Sequence, residues 1–366
     1  MYILTQIHNL FNHFLMRILI PCPKDYISSN KRNPFVRFIY NGLIENGFDV
    51  VCDNEELWRG KNSYDAVFFQ WPEATFDWNN LDVSRFERKV AELKNKNIKI
   101  IATCHNLHAH SNNKDANKLY DILYADADAI HHLGNYSFDL FKTKYPKCHH
   151  FISQHPIFYD IKAMKLDQKK CREVLGLPIN KKIILAFGIF RNDEEIQLFL
   201  SLRKKISSKD VILLAPRLPY GSLRNGLQID KTIKCIYTRS KYKLNSIYYN
   251  KEYIDESILP YYFTACDIVF IQRKEILNSG NLPLAFSAGK IVVGPNKGNV
   301  GSILNTCGNP CFNPNDVADV ISKTELALEM SISNDIGTNN YIYSQKYMQP
   351  HITNKVLSEN LKRLLA

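Results

Sequence analysis

The 366-residue chain has no apolar run of about 18 residues or more, so no segment of it reads as a membrane-spanning helix. It has no Cys-x-x-Cys pair, and its nine cysteines are an odd number, spread singly except for Cys307 and Cys311. That usage argues against a disulfide framework and a zinc ribbon, and for reduced thiols in a cytosol. There is no solenoid repeat, no low-complexity tract and no RNA-binding signature. Lys and Arg outnumber Asp and Glu by 47 to 36, for a formal charge of +11, but the basic residues are dispersed. Nucleic acid is therefore not an expected partner, whereas an anionic membrane face or a negatively charged substrate is. The stretch Met1 to Leu15 lacks Lys, Arg, Asp and Glu altogether. Its Ile3, Leu4, Ile7, Leu10, Phe11, Phe14 and Leu15 lie at near-helical spacing, which suits an amphipathic helix on a membrane surface. The alternative, preferred here, is that Met16 is a second initiator and Met16-Arg17-Ile18-Leu19-Ile20-Pro21 opens the domain. A cleaved signal peptide fits less well, because no basic leading region is present.

What is there is alternation. Apolar runs at Arg17 to Pro21, Asp49 to Cys52, Ala66 to Gln70, Ile98 to Thr103 and Ala129 to His132 read as strands. Helical patterns at Pro34 to Asn46, closed by Gly47, and at Val83 to Lys94 separate some of them. After Pro156 a second series follows, with strands at Ile183 to Phe187, Val211 to Ala215, Ile233 to Tyr237, Ile268 to Ile271 and Ile291 to Val293. Its helices are expected at Glu195 to Ile206, Glu256 to Ala265 and Asp316 to Met330. Strands divided by helical patterns mean βαβ units and mostly parallel sheets, and the chain is longer than one core normally supports. The expectation is two doubly wound α/β domains joined near residues 156 to 178.

Ligands of such sheets bind beyond the carboxyl ends of the strands, and the polar chemistry of this sequence collects there. One run ends in Trp71-Pro72-Glu73, another in Thr103-Cys104-His105-Asn106 with His110 beyond, and a third in Phe187-Gly188-Ile189-Phe190-Arg191. The segment from Asn278 through Ser279, Gly280, Asn281 and Pro283 to Gly289, then Ile291 to Pro295, reads as a small-residue loop, a short helix and a buried strand. Small side chains before a helix let a phosphate approach backbone N–H groups, although the same unit occurs in α/β proteins as plain packing.

This ordered set, strand-W-P-E, T-x-H-N-x-x-x-H, F-G-x-x-R and N-S-G-x-L-x-L-A-x-S-x-G-K-x-V-V-x-P, resembles glycosyltransferases of the GT-B fold over roughly residues 16 to 330. It is most similar to bacterial family 4-like enzymes of exopolysaccharide, capsule, O-antigen or lipid-linked oligosaccharide synthesis. The resemblance implies two Rossmann-like domains with an interdomain cleft: an extension at 1–15, an acceptor domain at 16–160, a nucleotide-sugar domain at 178–340, and a helical segment at 341–366 packing back on the first domain. It implies transfer of a hexose from a UDP- or GDP-sugar to a glycan or lipid-linked acceptor. The nucleotide-sugar is a substrate, no cofactor or metal is required, and the place of work is cytoplasmic, at the inner face of the plasma membrane with weak anionic membrane association.

By the same resemblance His105 and Arg191 are the catalytic residues, the first facing the transferred sugar and the second the donor phosphate. Gly188, Arg191, Glu275, Asn278, Ser279, Gly280 and Asn281 hold the donor, and Asn33, Trp71 and Asn106 the acceptor. The sequence departs from the family in three places. Arg191 is followed by Asn192-Asp193-Glu194-Glu195, without the usual lysine, so either Lys274, Arg273 or Lys290 supplies that charge or donor affinity is low. Asn278 and Phe286 stand where two glutamates often do, and Ser28-Ser29-Asn30-Lys31 replaces a glycine pair after the first strand. A non-hydrolysing sugar-nucleotide epimerase and a non-catalytic glycan- or nucleotide-binding protein stay open as alternatives. Among the other candidates, eight of the eleven histidines fall between His105 and His155, yet the adjacent pairs diverge and no acidic shell accompanies them, so a metal is not expected. Trp71 reads equally as a packing anchor, Glu73 as an acceptor base or a structural acid, and Glu275 as a solvated residue or a ribose contact.

Overall fold

The structure, a computed structural model, describes residues 15–29, 32–60, 63–109, 113–158, 166–208, 210–218, 247–248 and 254–366. Most of the Met1 to Leu15 stretch, the Asn30-Lys31 pair, His110 and the expected strand at Ile233 to Tyr237 lie outside them. The chain divides into two units, Met1–Phe158 with Gln349–Ala366, and Tyr159–Met348.

In the first unit six strands pair in parallel: β1 (Arg17–Ile20), β2 (Asp49–Cys52), β3 (Ala66–Phe69), β4 (Lys99–Thr103), β5 (Ala129–His132) and β6 (His149–Ile152), in the order β2-β1-β3-β4-β5-β6. β3 runs apolar without alternation because helices cover a parallel sheet on both faces, and every one of its residues is buried. Aspartates tie the strand starts together. Asp65 Oδ2 accepts from the Arg17 N–H at 2.6 Å, and Asp128 Oδ2 from that of Ile100 at 2.8 Å. The helix Pro34–Glu45 begins with proline at its first position, where no N–H is needed, and with Asn33 accepting from the Phe35 N–H at 3.0 Å. It buries Phe35, Val36, Ile39 and Leu43. Its Gly42 lets the C-terminal helix Pro350–Leu365 cross closely, since a Cβ there would stand 2.2 Å from the Asn354 side chain. Ser153 Oγ donates to the Thr353 carbonyl at 2.8 Å from the end of β6, so this last helix belongs to the first unit.

The second unit holds β7 (Lys182–Leu185), β8 (Val211–Leu214), β9 (Ile247–Tyr248), β10 (Ile268–Phe270), β11 (Ile291–Pro295) and β12 (Cys311–Phe312), parallel in the order β12-β11-β10-β7-β8-β9. Phe199, Phe270, Phe312 and Val293 are at its core. The helix Asp193–Lys205 has three acids in its first turn and three bases in its last, which suits its dipole, and Asn192 caps it by accepting from the Glu195 N–H at 2.9 Å. Buried Arg172 fastens the start of the sheet, reaching the carbonyls of Ala265, Ile179 and Lys181 and the Asp267 carboxylate.

Candidate functional site

In the second unit the strand order reverses between β7 and β10, the place where doubly wound sheets open a crevice at the strand ends. The chain leaves β7 through Gly188, whose φ of +99° calls for glycine. The turn from Phe187 to Arg191 is held at three backbone points. Asn281 Nδ2 donates to the Phe187 carbonyl at 2.6 Å, Arg273 Nη2 to the Ile189 carbonyl at 2.6 Å, and the Arg191 N–H to Glu195 Oε2 at 2.8 Å. The same Glu195 oxygen takes a short ion pair from Arg273 Nη1, and Glu195 is only 4% exposed. Burial lowers the Arg273 pKa, the nearby Arg191 charge lowers it further, and Glu195 opposes both. One buried carboxylate therefore holds both the Arg273 guanidinium and the backbone of Arg191 at this rim.

Of the three residues that could replace the missing lysine, Arg273 is the one bonded to the turn itself, through the Ile189 carbonyl and Glu195. Lys274 instead pairs with Glu194 at 2.9 Å, and Lys290 donates to the Thr264 carbonyl at 3.1 Å. Asn278 accepts from Asn299 Nδ2 at 2.8 Å, and Gly298 brings the helix Gly298–Thr306 so close that a Cβ would lie 2.4 Å from the Ile276 carbonyl. These contacts fix the loop that ends in Ser279, whose Oγ accepts from the Asn281 N–H at 3.3 Å. Gly280 precedes the helix Asn281–Ser287 in an α conformation without a side-chain cap. With seven residues that helix carries little dipole, so the positive charge of the rim comes chiefly from the arginines. Glu275 is exposed and lies 3.7 Å from Lys297.

In the first unit the order reverses between β1 and β3, and a different chemistry gathers there. His105, after β4, has its Nε2 3.1 Å from Gln70 Oε1, after β3. The Trp71 ring stacks on the imidazole at 4.2 Å and 19°, and Phe35 meets it edge-on at 4.6 Å. Trp71 itself is buried, with Tyr26 and Trp78 against it, so packing around His105 occupies the indole. Asn106 is buried too: its Nδ2 donates to the Tyr120 hydroxyl at 3.2 Å and its carbonyl accepts from that of Tyr124 at 2.7 Å. Burial raises the Glu73 pKa, against hydrogen bonds from its own backbone and from Tyr120. The structure thus brings Gln70, Trp71, His105 and Phe35 together, turns Asn106 inward, and places Asn33 as an exposed helix cap.

The remaining histidines are mostly structural. His131 Nε2 donates to the Ser153 carbonyl at 3.0 Å, with Thr103 Oγ1 3.2 Å from Nδ1, and burial pushes its pKa down to about 4. His132, pushed down to about 3 by burial and then by His150, lies 3.0 Å from the His150 ring and 3.1 Å from Ser137 Oγ. Among the described residues, no group of three or more His, Cys, Asp or Glu is placed to hold a metal ion.

Two residues of this arrangement were not singled out in the sequence, Gln70 and Glu195. Gln70 follows a strand directly, a position that carries chemistry elsewhere in the chain, but a glutamine there has no motif of its own. Glu195 drew notice only as part of the acidic run that replaces a lysine.

The two doubly wound parallel sheets with these strand-end rims define a GT-B architecture. Solved structures agree along the length of the chain. Sucrose-phosphate synthase from Thermosynechococcus elongatus matches with a TM-score of 0.72 at 13% identity, over 95% of this chain and 99% of that one. Anabaena HepE in complex with UDP matches at 0.68 and 12%, over 96% and 100%, and a glycosyltransferase from Rickettsia africae at 0.59 and 15%, over 92% and 83%. No family model and no curated protein matches the sequence. At these identities the likeness establishes the fold: the protein has the GT-B fold of glycosyltransferases.

Proposed function

We propose that the protein is a glycosyltransferase that moves a hexose from a UDP- or GDP-sugar to a glycan or lipid-linked oligosaccharide, in exopolysaccharide, capsule or O-antigen synthesis. The observation that carries the reading is the turn from Phe187 to Arg191, pinned by Asn281, Arg273 and Glu195, so that the Arg273 guanidinium is fixed against the turn that carries Arg191. HepE has been solved with UDP and with UDP-glucose, which supports a nucleotide-sugar as the donor.

On this reading the donor diphosphate lies on Arg191 and on the Ser279-Gly280-Asn281 segment, with Gly188 admitting it and Asn278 and Glu275 bordering it. A leaving nucleotide gains negative charge as the glycosidic bond breaks, and preorganised cations stabilise that charge without reorganising at the moment of reaction. Arg273, immobilised on Glu195 and the Ile189 carbonyl, supplies the cation that the absent lysine does not. On the first unit His105 serves the sugar, with Trp71 stacked behind it and Asn33 at the edge of the acceptor, while the inward-turned Asn106 supports the same strand end. No described helix is long and apolar enough to cross a membrane. A lipid-linked acceptor then requires the cytoplasmic face of a membrane to be visited from the surface, which the net charge of +11 favours for anionic lipid.

The test is a titration of UDP, GDP and uridine against the parent and Arg191→Ala. Losing one charge-assisted contact should weaken the diphosphates by roughly 1.5–3 kcal/mol and leave uridine nearly unaffected. UDP and GDP binding equally to both proteins would remove the donor site from this rim.

A further inference from the structure

Gln70 is 1% exposed, and its amide is unevenly satisfied. The oxygen lies 3.1 Å from His105 Nε2, while the buried amide nitrogen has no hydrogen-bond partner among the described residues. Leaving a buried polar group unmade costs on the order of 1–3 kcal/mol, so an aliphatic residue of similar size would be the better choice if packing were the only demand. A glutamine retained at that cost, at the end of β3 beside the switch in strand order, points to work done by its other half.

We propose that Gln70 is a positioning residue for His105. Its carbonyl oxygen can only accept, so the neutral imidazole must carry its proton on Nε2 and its lone pair on Nδ1. The stacked Trp71 indole and the edge of Phe35 set the plane of the ring, and Gln70 sets its rotation and tautomer. The His105 N–H also bonds to the Thr103 carbonyl at 2.9 Å, so backbone and side chain are both directed by strand ends. An amide achieves this without adding charge, whereas a carboxylate at the same place would favour the imidazolium. The inference rests on the reading of His105 as the residue that faces the sugar, and it adds which nitrogen faces it: Nδ1 is the atom that takes or shares a proton with a sugar hydroxyl, and Nε2 is held by the protein.

The experiment uses protein labelled with 15N in histidine, at pH 9, above the ordinary imidazole range, with His105 assigned by the signal lost in His105→Ala. The parent should show the Nε2–H tautomer. Gln70→Leu, which cannot accept a hydrogen bond, should mix the two tautomers and lower kcat on the order of tenfold, with donor KM within about twofold. Gln70→Glu keeps the accepting oxygen and should restore both the tautomer and most of kcat at that pH. A parent ring protonated on Nδ1, or an unchanged Nε2–H population in Gln70→Leu, overturns the proposal, and neither result depends on transfer activity. A tautomer that shifts as expected while kcat does not move upholds the hold of Gln70 on the ring and overturns the role of His105 in transfer.

Discussion

In the first unit the strand order reverses between β1 and β3, and the side chains delivered there are an amide, an indole and an imidazole. In the second it reverses between β7 and β10, and the delivered groups are a glycine turn that ends in Arg191 and, against it, the Arg273 guanidinium on a buried carboxylate. The same topology therefore presents an uncharged, aromatic rim in one unit and a cationic rim in the other. Aromatic faces and neutral hydrogen-bonding groups suit sugars, while fixed cations suit phosphates. The fold gives the position, and the residues just past two strands give each unit its ligand chemistry.

The largest effect should come from breaking the cationic rim at its centre. Arg273→Ala leaves Glu195 buried without its ion pair, a loss of about 3–5 kcal/mol of stability by urea denaturation. UDP affinity should fall as well. The double variant Glu195→Gln with Arg273→Met removes both charges, so it should recover most of the stability but not the affinity. If the double variant binds UDP like the parent, Arg273 serves the fold alone and the cationic rim reduces to Arg191.

On the aromatic rim, His105→Ala should lower turnover by a factor on the order of 10², since it removes the imidazole held against Gln70 and Trp71 at that strand end. The ring also packs between Trp71 and Phe35, and its loss should cost roughly 1 kcal/mol of stability. UDP affinity should be unchanged. That crossed pattern, turnover lost on one unit and nucleotide affinity on the other, is the functional form of the contrast. A His105→Ala protein that turns over normally but binds UDP poorly would invert it.

How much of this the sequence discloses follows from the range of the interactions involved. The buried strands are legible because a parallel sheet covered on both faces writes itself as short β-branched runs, as at Ile183 to Leu185 and Ile291 to Val293. The edges are less so. β6 is His149-His150-Phe151-Ile152 with only Phe151 buried, and β12 is two residues long, so neither forms an apolar run. The helix Gly298–Thr306 opens with Gly298 and contains Gly301, a composition that reads as a loop. Arg191 is legible because it lies four residues from the phenylalanine of its own turn. Its neighbour Arg273 reaches Glu195 from 78 positions away, and Gln70 reaches His105 across 35. Such pairs are set by strand order, which periodicity does not reveal.

The smallest effect concerns where the aromatic rim ends. Asn33 is exposed, and its Oδ1 caps the helix that carries Phe35 to His105, so a structural and an acceptor role share one side chain. Asn33→Ala should cost about 1 kcal/mol of stability through the lost cap, whatever the acceptor does. Asn33→Ser keeps a capping oxygen and removes the amide donors. It should therefore melt like the parent, and if the amide meets the acceptor as proposed, acceptor KM should rise about fivefold, the worth of one hydrogen bond of roughly 1 kcal/mol. An acceptor KM unchanged in Asn33→Ser would confine Asn33 to the cap and draw the rim in to Gln70, Trp71 and His105. Its influence on transfer would then pass only through the helix start that presses Phe35 against the imidazole.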